Sequence, residues 1–228
     1  MTKNIIAIIP ARGGSKGIPN KNIVLLCGKP LIVYTIQEAK KSKYINRIIV
    51  STDNREIARI AKQCGVEVVN RPAVLAKDDT PILPVLKQAL TAIKDDSELV
   101  VLLQPTSPLR TVKHIDKAIE KLLSTNCDSV VSVTKLEISP AAIVKTDINN
   151  KLKMICSDLT KVRRQDSELY KINGAVYVTR KDILMRLEHY VIGDNTYVIK
   201  MLKEDSIDID DYEDLGEAEK YIERRTGR

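Results

Sequence analysis

Short apolar runs alternate with segments of helical spacing along most of the chain. Residues 5–9 form a β-branched run and residues 99–103 an unbroken apolar run, which is typical of buried strands. Residues 31–41 carry apolar positions at helical spacing after a proline that suits a first helical turn. These criteria predict strands at 5–9, 47–51, 67–69, 99–103, 129–133, 175–178 and 197–201, and helices at 31–41, 55–64, 82–93, 112–123, 182–187 and 212–225.

This order of elements predicts an α/β fold with a mostly parallel sheet that is covered on both faces. In such sheets, ligands bind outside the carboxyl ends of the strands. Residues 10–22, 52–53 and 104–110 each follow a predicted strand, so we expect all three segments at one rim. Thr52 or Asp53 is expected to cap the helix that comes next.

The pattern changes between residues 137 and 171. Alternating residues and a charged stretch at 161–168 replace the helical spacing there. We interpret 137–171 as a projecting insertion of strands or a hairpin that contacts a partner, within a single domain of residues 1–228.

Composition narrows the class of protein. A chain of 228 residues can bury one large core, here built mainly from Ile, Leu and Val because Trp and Phe are absent. The first apolar run is far too short to span a bilayer, so we expect a cytoplasmic protein with no membrane association. Four widely spaced cysteines and two histidines favour reduced thiols over a zinc site.

The distribution of charge is more informative than the net charge of +7. Basic residues precede the first acidic one, Glu38, whereas residues 204–219 contain acids and no base. The chain lacks a basic stripe with stacking aromatics, which argues against a nucleic-acid partner. A basic loop and an acidic segment instead suit a polyphosphate and a divalent cation.

The loop at 10–22 reads PARGGSKGIPNKN. Its glycines allow close approach of the backbone to a ligand and leave N–H donors unshielded, and its cations can neutralise phosphate oxygens. The glycines are Gly13, Gly14 and Gly17, and the cations are Arg12, Lys16 and Lys21. The spacing is neither GxGxxG nor a Walker A loop, and the alternative reading is a solvated basic turn.

Asp208 and Asp210 form the second candidate. In an extended segment two residues of this spacing point the same way, while Ile207 and Ile209 face the core. Two convergent carboxylates that leave sites for water and phosphate suit Mg²⁺. The alternative is an acidic strand end that caps the following helix.

Two further segments lie next to predicted strands. The double-proline turn at 104–110 is expected to present Gln104 and Arg110 at the rim, or else only to start a helix. Asn173-Gly174 is typical of a turn, with a site role as the alternative.

Five motifs in this order resemble the acylneuraminate cytidylyltransferases over nearly the whole chain. They are IIPARGGSKGIPNKNI at 8–23, LLQPTSPLR at 102–110, RRQ at 163–165, INGAVYV at 172–178 and SIDIDD at 206–211. The resemblance implies a Rossmann-like three-layer sandwich and a homodimer, with 137–171 as the dimerisation insertion. It also implies Mg²⁺ as the cofactor.

The resemblance also implies site residues. CTP would contact Ala11, Arg12, Gly13, Gly14, Ser15, Lys21, Asn22, Arg71 and Thr80. The sugar would contact Gln104, Arg164 and Asn173, and the metal would be held by Asp208 and Asp210.

The expected reaction is in-line attack of a sugar's anomeric hydroxyl on the α-phosphorus of CTP, with Arg12, Lys21 and Asp210 as the catalytic residues. The acceptor would be a nine-carbon 2-keto acid sugar, N-acetylneuraminate first, with legionaminic acid, pseudaminic acid and Kdo as alternatives. Two other classes stay open: a non-catalytic nucleotide-binding module, and a nicotinamide-dependent oxidoreductase in which Asp53 would end the second strand.

Overall fold

A computed structural model describes residues 4–94, 96–137, 144–154, 169–187 and 193–227. The strands are β1 Ile5–Pro10, β2 Leu25–Leu26, β3 Lys29–Pro30, β4 Arg47–Thr52, β5 Glu67–Asn70, β6 Leu99–Leu102, β7 Ser129–Lys135, β8 Val144–Thr146, β9 Leu152–Met154, β10 Tyr170–Arg180 and β11 Thr196–Met201. The helices are α1 Leu31–Lys40, α2 Arg55–Gln63, α3 Ile82–Ala92, α4 Val112–Ser124, α5 Lys181–Arg186 and α6 Tyr212–Thr226.

The central sheet has seven strands in the order β11-β7-β10-β6-β1-β4-β5. Strand β10 runs antiparallel to both of its neighbours, and the other pairs are parallel. The predicted α/β fold with a mostly parallel sheet is confirmed.

Strand β1 shows why helices cover both faces of this sheet. Ile5, Ala7 and Ile9 pack into the core that α1, α2 and α4 close, whereas Ile6 and Ile8 pack into the core under α3 and α5. Successive side chains of a strand point to opposite faces, so an unbroken apolar run is buried on both sides. The result is the three-layer sandwich.

A third apolar cluster joins distant parts of the chain at the rim. Ile18 from the glycine loop packs with Ile207 and Ile209, together with Leu109 and Leu215. Because the two isoleucines are buried there, the aspartates between and after them are turned toward the loop side.

Strand β10 is longer than the predicted 175–178. Its pairing register to β7 shifts between Ile172 and Tyr177, and Gly174 has a φ of +76°. Asn173-Gly174 is therefore a bulge inside a strand, which allows pairing to continue on both sides. The prediction of a turn at this dipeptide was wrong.

The cap of α2 also differs from the prediction. Asn54 is the N-cap, and its side chain accepts from the backbone N–H groups of Glu56 and Ile57. Strand β4 continues to Thr52, and the cap lies one residue after Asp53. Asp53 consequently serves the glycine loop instead.

The segment 137–171 is described only in part. Strands β8 and β9 pair with each other in a separate two-stranded sheet. A dimerisation role for 137–171 stays a prediction. None of the helices in the described ranges is long and apolar enough to cross a membrane.

Candidate active site

The glycine loop is held closed by hydrogen bonds at both of its ends. Gly13 N–H donates to Asp53 Oδ1 at 2.9 Å, and Asn22 Nδ2 donates to the Arg12 carbonyl at 2.9 Å. Asn22 is buried, so its amide fixes the shape of the loop. The loop follows β1 and lies at the carboxyl edge of the parallel strands, as expected.

Gly17 is where the loop meets the acidic segment. A Cβ added at Gly17 would lie 2.2 Å from the Asp210 carbonyl oxygen, whereas one at Gly14 would meet nothing within 4 Å. Gly17 thus permits contact with the segment that carries the two aspartates, and Gly14 faces open space.

Gly17→Ala is expected to lower the free energy of unfolding by about 1–3 kcal/mol, because the methyl group would force the loop away from Asp210. Gly14→Ala is the matched control and should leave stability within about 1 kcal/mol. Urea unfolding of both variants measures the difference. Equal stabilities would show that the close approach at Gly17 is not required.

Lys21 lies between the loop and the acidic segment. Its Nζ donates to the Ile209 carbonyl at 2.8 Å and to Asp210 Oδ1 at 2.9 Å. The Lys21 side chain is 14% exposed and the Asp210 side chain 79% exposed. A mostly buried ammonium group is therefore positioned beside a solvent-facing carboxylate.

Asp208 differs from Asp210 in that its carboxyl group is largely buried. Burial raises the pKa of its carboxyl group, Asp210 adds to that rise, and a hydrogen bond with Thr106 opposes it. Asp208 Oδ1 is buried without a hydrogen-bond partner in the part of the chain that the structure describes. An ionised carboxylate in this state is destabilising unless a cation or donor joins it.

A cavity of about 420 Å³, here called the loop cavity, opens beside the glycine loop. Its lining includes seven of the predicted site residues of the loop and its surroundings: Arg12, Gly14, Ser15, Lys21, Asn22, Arg71 and Thr80. Burial lowers the pKa of the Arg71 guanidinium to about 10, and Arg71 donates to Ser51. The lining carries four cationic side chains, of Arg12, Lys21, Arg71 and Lys77, and three carboxylates, of Asp78, Asp208 and Asp210.

Ala11 and Gly13 lie apart from this lining. Ala11 is fully buried in the core under α1, and its N–H donates to the Ser51 carbonyl at 2.9 Å. The Gly13 N–H is taken by Asp53. Contact of CTP with these two residues stays a prediction.

Arg12 is paired with an acid that the sequence did not single out. Arg12 forms an ion pair with Asp78, and Lys16 Nζ lies 3.5 Å from the same carboxylate. The hydrogen bond from Arg12 lowers the pKa of the Asp78 carboxyl. Asp78 is one of two adjacent acids in a polar stretch, and this local pattern does not indicate a contact with Arg12.

A larger cavity of about 960 Å³, here called the sheet cavity, lies at the ends of β7 and β10. It shares Gln104, Asp208 and Asp210 with the loop cavity. A Cβ at Gly174 would lie 3.2 Å from Gln104 Oε1 and 3.4 Å from Asp208 Oδ2, so the bulge of β10 lies against this junction.

Asn173 lines the sheet cavity, but its amide is engaged by the protein. Its Oδ1 accepts from Ser132 Oγ at 2.5 Å, and its Nδ2 donates to Ser206 Oγ at 2.8 Å. Sugar contacts by Gln104 and Asn173 stay predictions. Arg164 lies outside the described residues.

Arg110 is buried and does not reach the rim, contrary to expectation. It donates to the carbonyls of Gln104 and Ala175 and to Thr35 Oγ1. Burial lowers the pKa of its guanidinium to about 9. Arg110 therefore ties the turn after β6 to α1 and β10 and holds the backbone of Gln104 in place.

The site is a cationic glycine loop facing two carboxylates at the junction of two cavities, which defines a class of phosphate-handling α/β proteins. The family model described as "Cytidylyltransferase" matches residues 6–224. The chain belongs to the cytidylyltransferase family.

Curated relatives carry related names. The N-acylneuraminate cytidylyltransferase of Escherichia coli is 39% identical over 217 residues, covering 94% of this chain and 51% of the relative. The CMP-N,N'-diacetyllegionaminic acid synthase of Legionella pneumophila is 34% identical and is covered over 96% of each chain. The chain spans about half the length of the Escherichia coli and Streptococcus agalactiae relatives it matches.

Solved structures share the fold. A CMP:2-keto-3-deoxy-manno-octonic acid synthetase complexed with CTP superposes with a TM-score of 0.77 at 14% identity, covering 97% of this chain and 99% of the other. A 4-diphosphocytidyl-2C-methyl-D-erythritol synthase from Anaerococcus prevotii gives 0.70 at 18% identity, over 98% and 100%. At these identities the similarity supports the Rossmann-like fold.

Proposed function

We propose that this chain transfers CMP from CTP to the anomeric hydroxyl of a nine-carbon 2-keto acid sugar, N-acetylneuraminate first, and releases pyrophosphate. The observation that carries the proposal is the junction of the two cavities at Gln104, Asp208 and Asp210. The loop cavity supplies cations for a triphosphate, and the sheet cavity has room for a sugar. The names of the relatives support both substrates.

In this proposal the reacting atoms meet at the junction. The anomeric oxygen forms a bond to the α-phosphorus and its proton passes to solvent water, while the bond from the α-phosphorus to the bridging oxygen of pyrophosphate breaks. Arg12 and Lys21 stabilise negative charge on the phosphate oxygens, and the protein's main contributions are positioning and electrostatics. Lys21 is mostly buried, so its charge is little screened there.

Asp208 and Asp210 fit a Mg²⁺ ion in the proposal. Mg²⁺ uses one or two carboxylates and keeps waters and phosphate oxygens as its other ligands. The buried Asp208 Oδ1 without a partner is an acceptor that a cation would satisfy. A bound Mg²⁺ would neutralise phosphate charge and favour ionisation of the attacking hydroxyl.

We further propose a cytoplasmic homodimer in which segment 137–171 reaches the partner. The four cysteines are widely spaced in the sequence and include no CxxC pair, which supports a reducing compartment.

The test is pyrophosphate release from CTP and Mg²⁺ with a panel of N-acetylneuraminate, legionaminic acid, pseudaminic acid and Kdo, with UTP and ATP as nucleotide controls. We expect release with CTP and at least one nine-carbon acid. Binding of CTP without release for any acid would favour a non-catalytic module. Tight NADH binding would favour an oxidoreductase, although Asp53 is hydrogen-bonded to the glycine loop.

Asp78→Asn is expected to tighten CTP binding by about two- to fivefold, because an exposed ion pair contributes little and the triphosphate must displace Asp78 from Arg12. Asp79→Asn is the matched control, since it removes the same charge from the next residue without touching that pair. Calorimetric titration with CTP measures both. Equal tightening in the two variants would mean that only net charge matters.

A further inference from the structure

Ile172 is an apolar residue that the fold leaves open to solvent at the wall of the sheet cavity. It is 47% exposed and lines that cavity. Ile207, another isoleucine of the lining, is buried in the third apolar cluster. Most other lining residues are polar or charged. A single exposed apolar residue is common on protein surfaces, so the position of Ile172 within the cavity decides its meaning.

The strand register places Ile172 on the face of the sheet that carries Tyr177. Ile172 lies opposite Val133, and Tyr177 lies opposite Val131. Directly opposed residues of an antiparallel pair point to the same face, and residues two apart on one strand share a face. Because Val131 and Val133 are two apart, Ile172 and Tyr177 lie on one face of the sheet, although a bulge separates them.

This face of β10 leads to the junction of the two cavities. Tyr177 also lines the sheet cavity, and burial and then the charge of Asp208 raise the pKa of its hydroxyl. Gly174 lies against Gln104 and Asp208. Ile172 comes two residues before Gly174, which is roughly 7 Å along an extended strand. A six-membered sugar ring with one substituent spans a comparable length, so a sugar with its anomeric hydroxyl at the junction would present a ring substituent to Ile172.

The candidate sugars differ in the groups that they can present to an apolar side chain. N-acetylneuraminate, legionaminic acid and pseudaminic acid carry acylamino groups, whereas Kdo carries none. The methyl group of an acetyl substituent is apolar, while most other ring substituents are hydroxyl groups. Contact between this methyl group and Ile172 would remove apolar surface of both from water, which is favourable.

We propose that Ile172 is a specificity-determining residue that contacts the methyl group of the sugar's acylamino substituent and favours acylamino sugars over Kdo. The inference rests on the proposed function, because that function places the sugar in the sheet cavity. Ile172 lies on an open wall, so its contribution to kcat/KM is about fivefold, below the roughly 10- to 200-fold that one methylene gives in a closed apolar pocket.

The experiment compares Ile172→Thr with Val198→Thr. Val198 is the matched control, because it is 44% exposed on β11 and is outside the lining of both cavities. Both substitutions keep a β-branched residue in a strand and remove apolar surface. The acids are an acylamino acid that the wild type accepts and its analogue with a hydroxyl group in place of the acylamino group.

We expect Ile172→Thr to lower kcat/KM for the acylamino acid about fivefold through a higher KM, with KM for CTP unchanged. The hydroxyl analogue should show no loss, measured as kcat/KM or, without turnover, as its inhibition constant against the acylamino acid. Val198→Thr should match the wild type with both acids, and Ile172→Val should keep most of the wild-type value.

If Ile172→Thr keeps the wild-type kcat/KM for the acylamino acid, or loses as much with the hydroxyl analogue, the assignment of Ile172 is wrong and the proposed function stands. Light scattering checks a different occupant of this wall: a changed molar mass in Ile172→Thr alone would mean that a second copy of the chain covers Ile172, which overturns the assignment. A wild type that accepts only Kdo would also overturn it. If the wild type accepts no acid, the proposed function fails and this inference fails with it.

Discussion

Asp208→Asn is expected to lower kcat/KM for cytidylyl transfer by about 10²- to 10³-fold, the loss that follows removal of one electrostatic group at a reaction centre. The substitution keeps the shape of the side chain and removes the buried charge that borders both cavities. Glu213→Gln is the control, since Glu213 is an exposed acid in the first turn of α6. We expect it to stay within about threefold of the wild type.

Asp208→Asn should also show whether this residue serves activity or the stability of the fold. Because burial raises the pKa of the Asp208 carboxyl, its ionised form is disfavoured in the folded protein. Asp208→Asn is therefore expected to have a Tm equal to or above that of the wild type. A large loss of Tm together with activity would mean that Asp208 serves the fold.

Magnesium binding gives an independent readout of Asp208. A ligand that binds only the folded state raises the Tm by mass action. With CTP present, Mg²⁺ should raise the Tm of the wild type more than that of Asp208→Asn. Equal shifts would contradict the assignment of the metal to this carboxylate.

Lys21→Met is the second substitution with a large expected effect, a loss of about 10²- to 10³-fold in kcat/KM. Lys21 is mostly buried and bridges the loop to Ile209 and Asp210, so its charge is held where phosphate oxygens would lie. Lys16→Met is the matched comparison from the same loop, because the Lys16 side chain is 83% exposed. Its loss should be much smaller, below about tenfold.

Steady-state kinetics with varied CTP would check this pair of variants. A similar loss in both would show that the loop acts through its total charge and that the position of Lys21 has no special role.

Strong local patterns made much of the fold predictable. The apolar run in β1 indicated burial on both faces, and the helical spacing after Pro30 placed α1 correctly. The alternation around Asp208 and Asp210 also predicted the inward isoleucines, because a period of two is set by strand geometry alone.

The features of the fold and the site that the sequence did not predict depend on contacts between distant residues. An arginine after a double-proline turn suggests an exposed side chain. Arg110 is nevertheless buried, where its guanidinium donates to the carbonyls of Gln104 and Ala175. The bulge at Asn173-Gly174 needs two flanking strands, and the local sequence favours a turn.

The most direct test of the central claim is product analysis after incubation of the purified chain with CTP, Mg²⁺ and N-acetylneuraminate. The proposed junction of a triphosphate site and a sugar site predicts a CMP-linked acid and pyrophosphate in equal amounts, with neither formed when the acid is omitted. Free CMP without a CMP-linked acid, or no pyrophosphate with any acid of the panel, would contradict it.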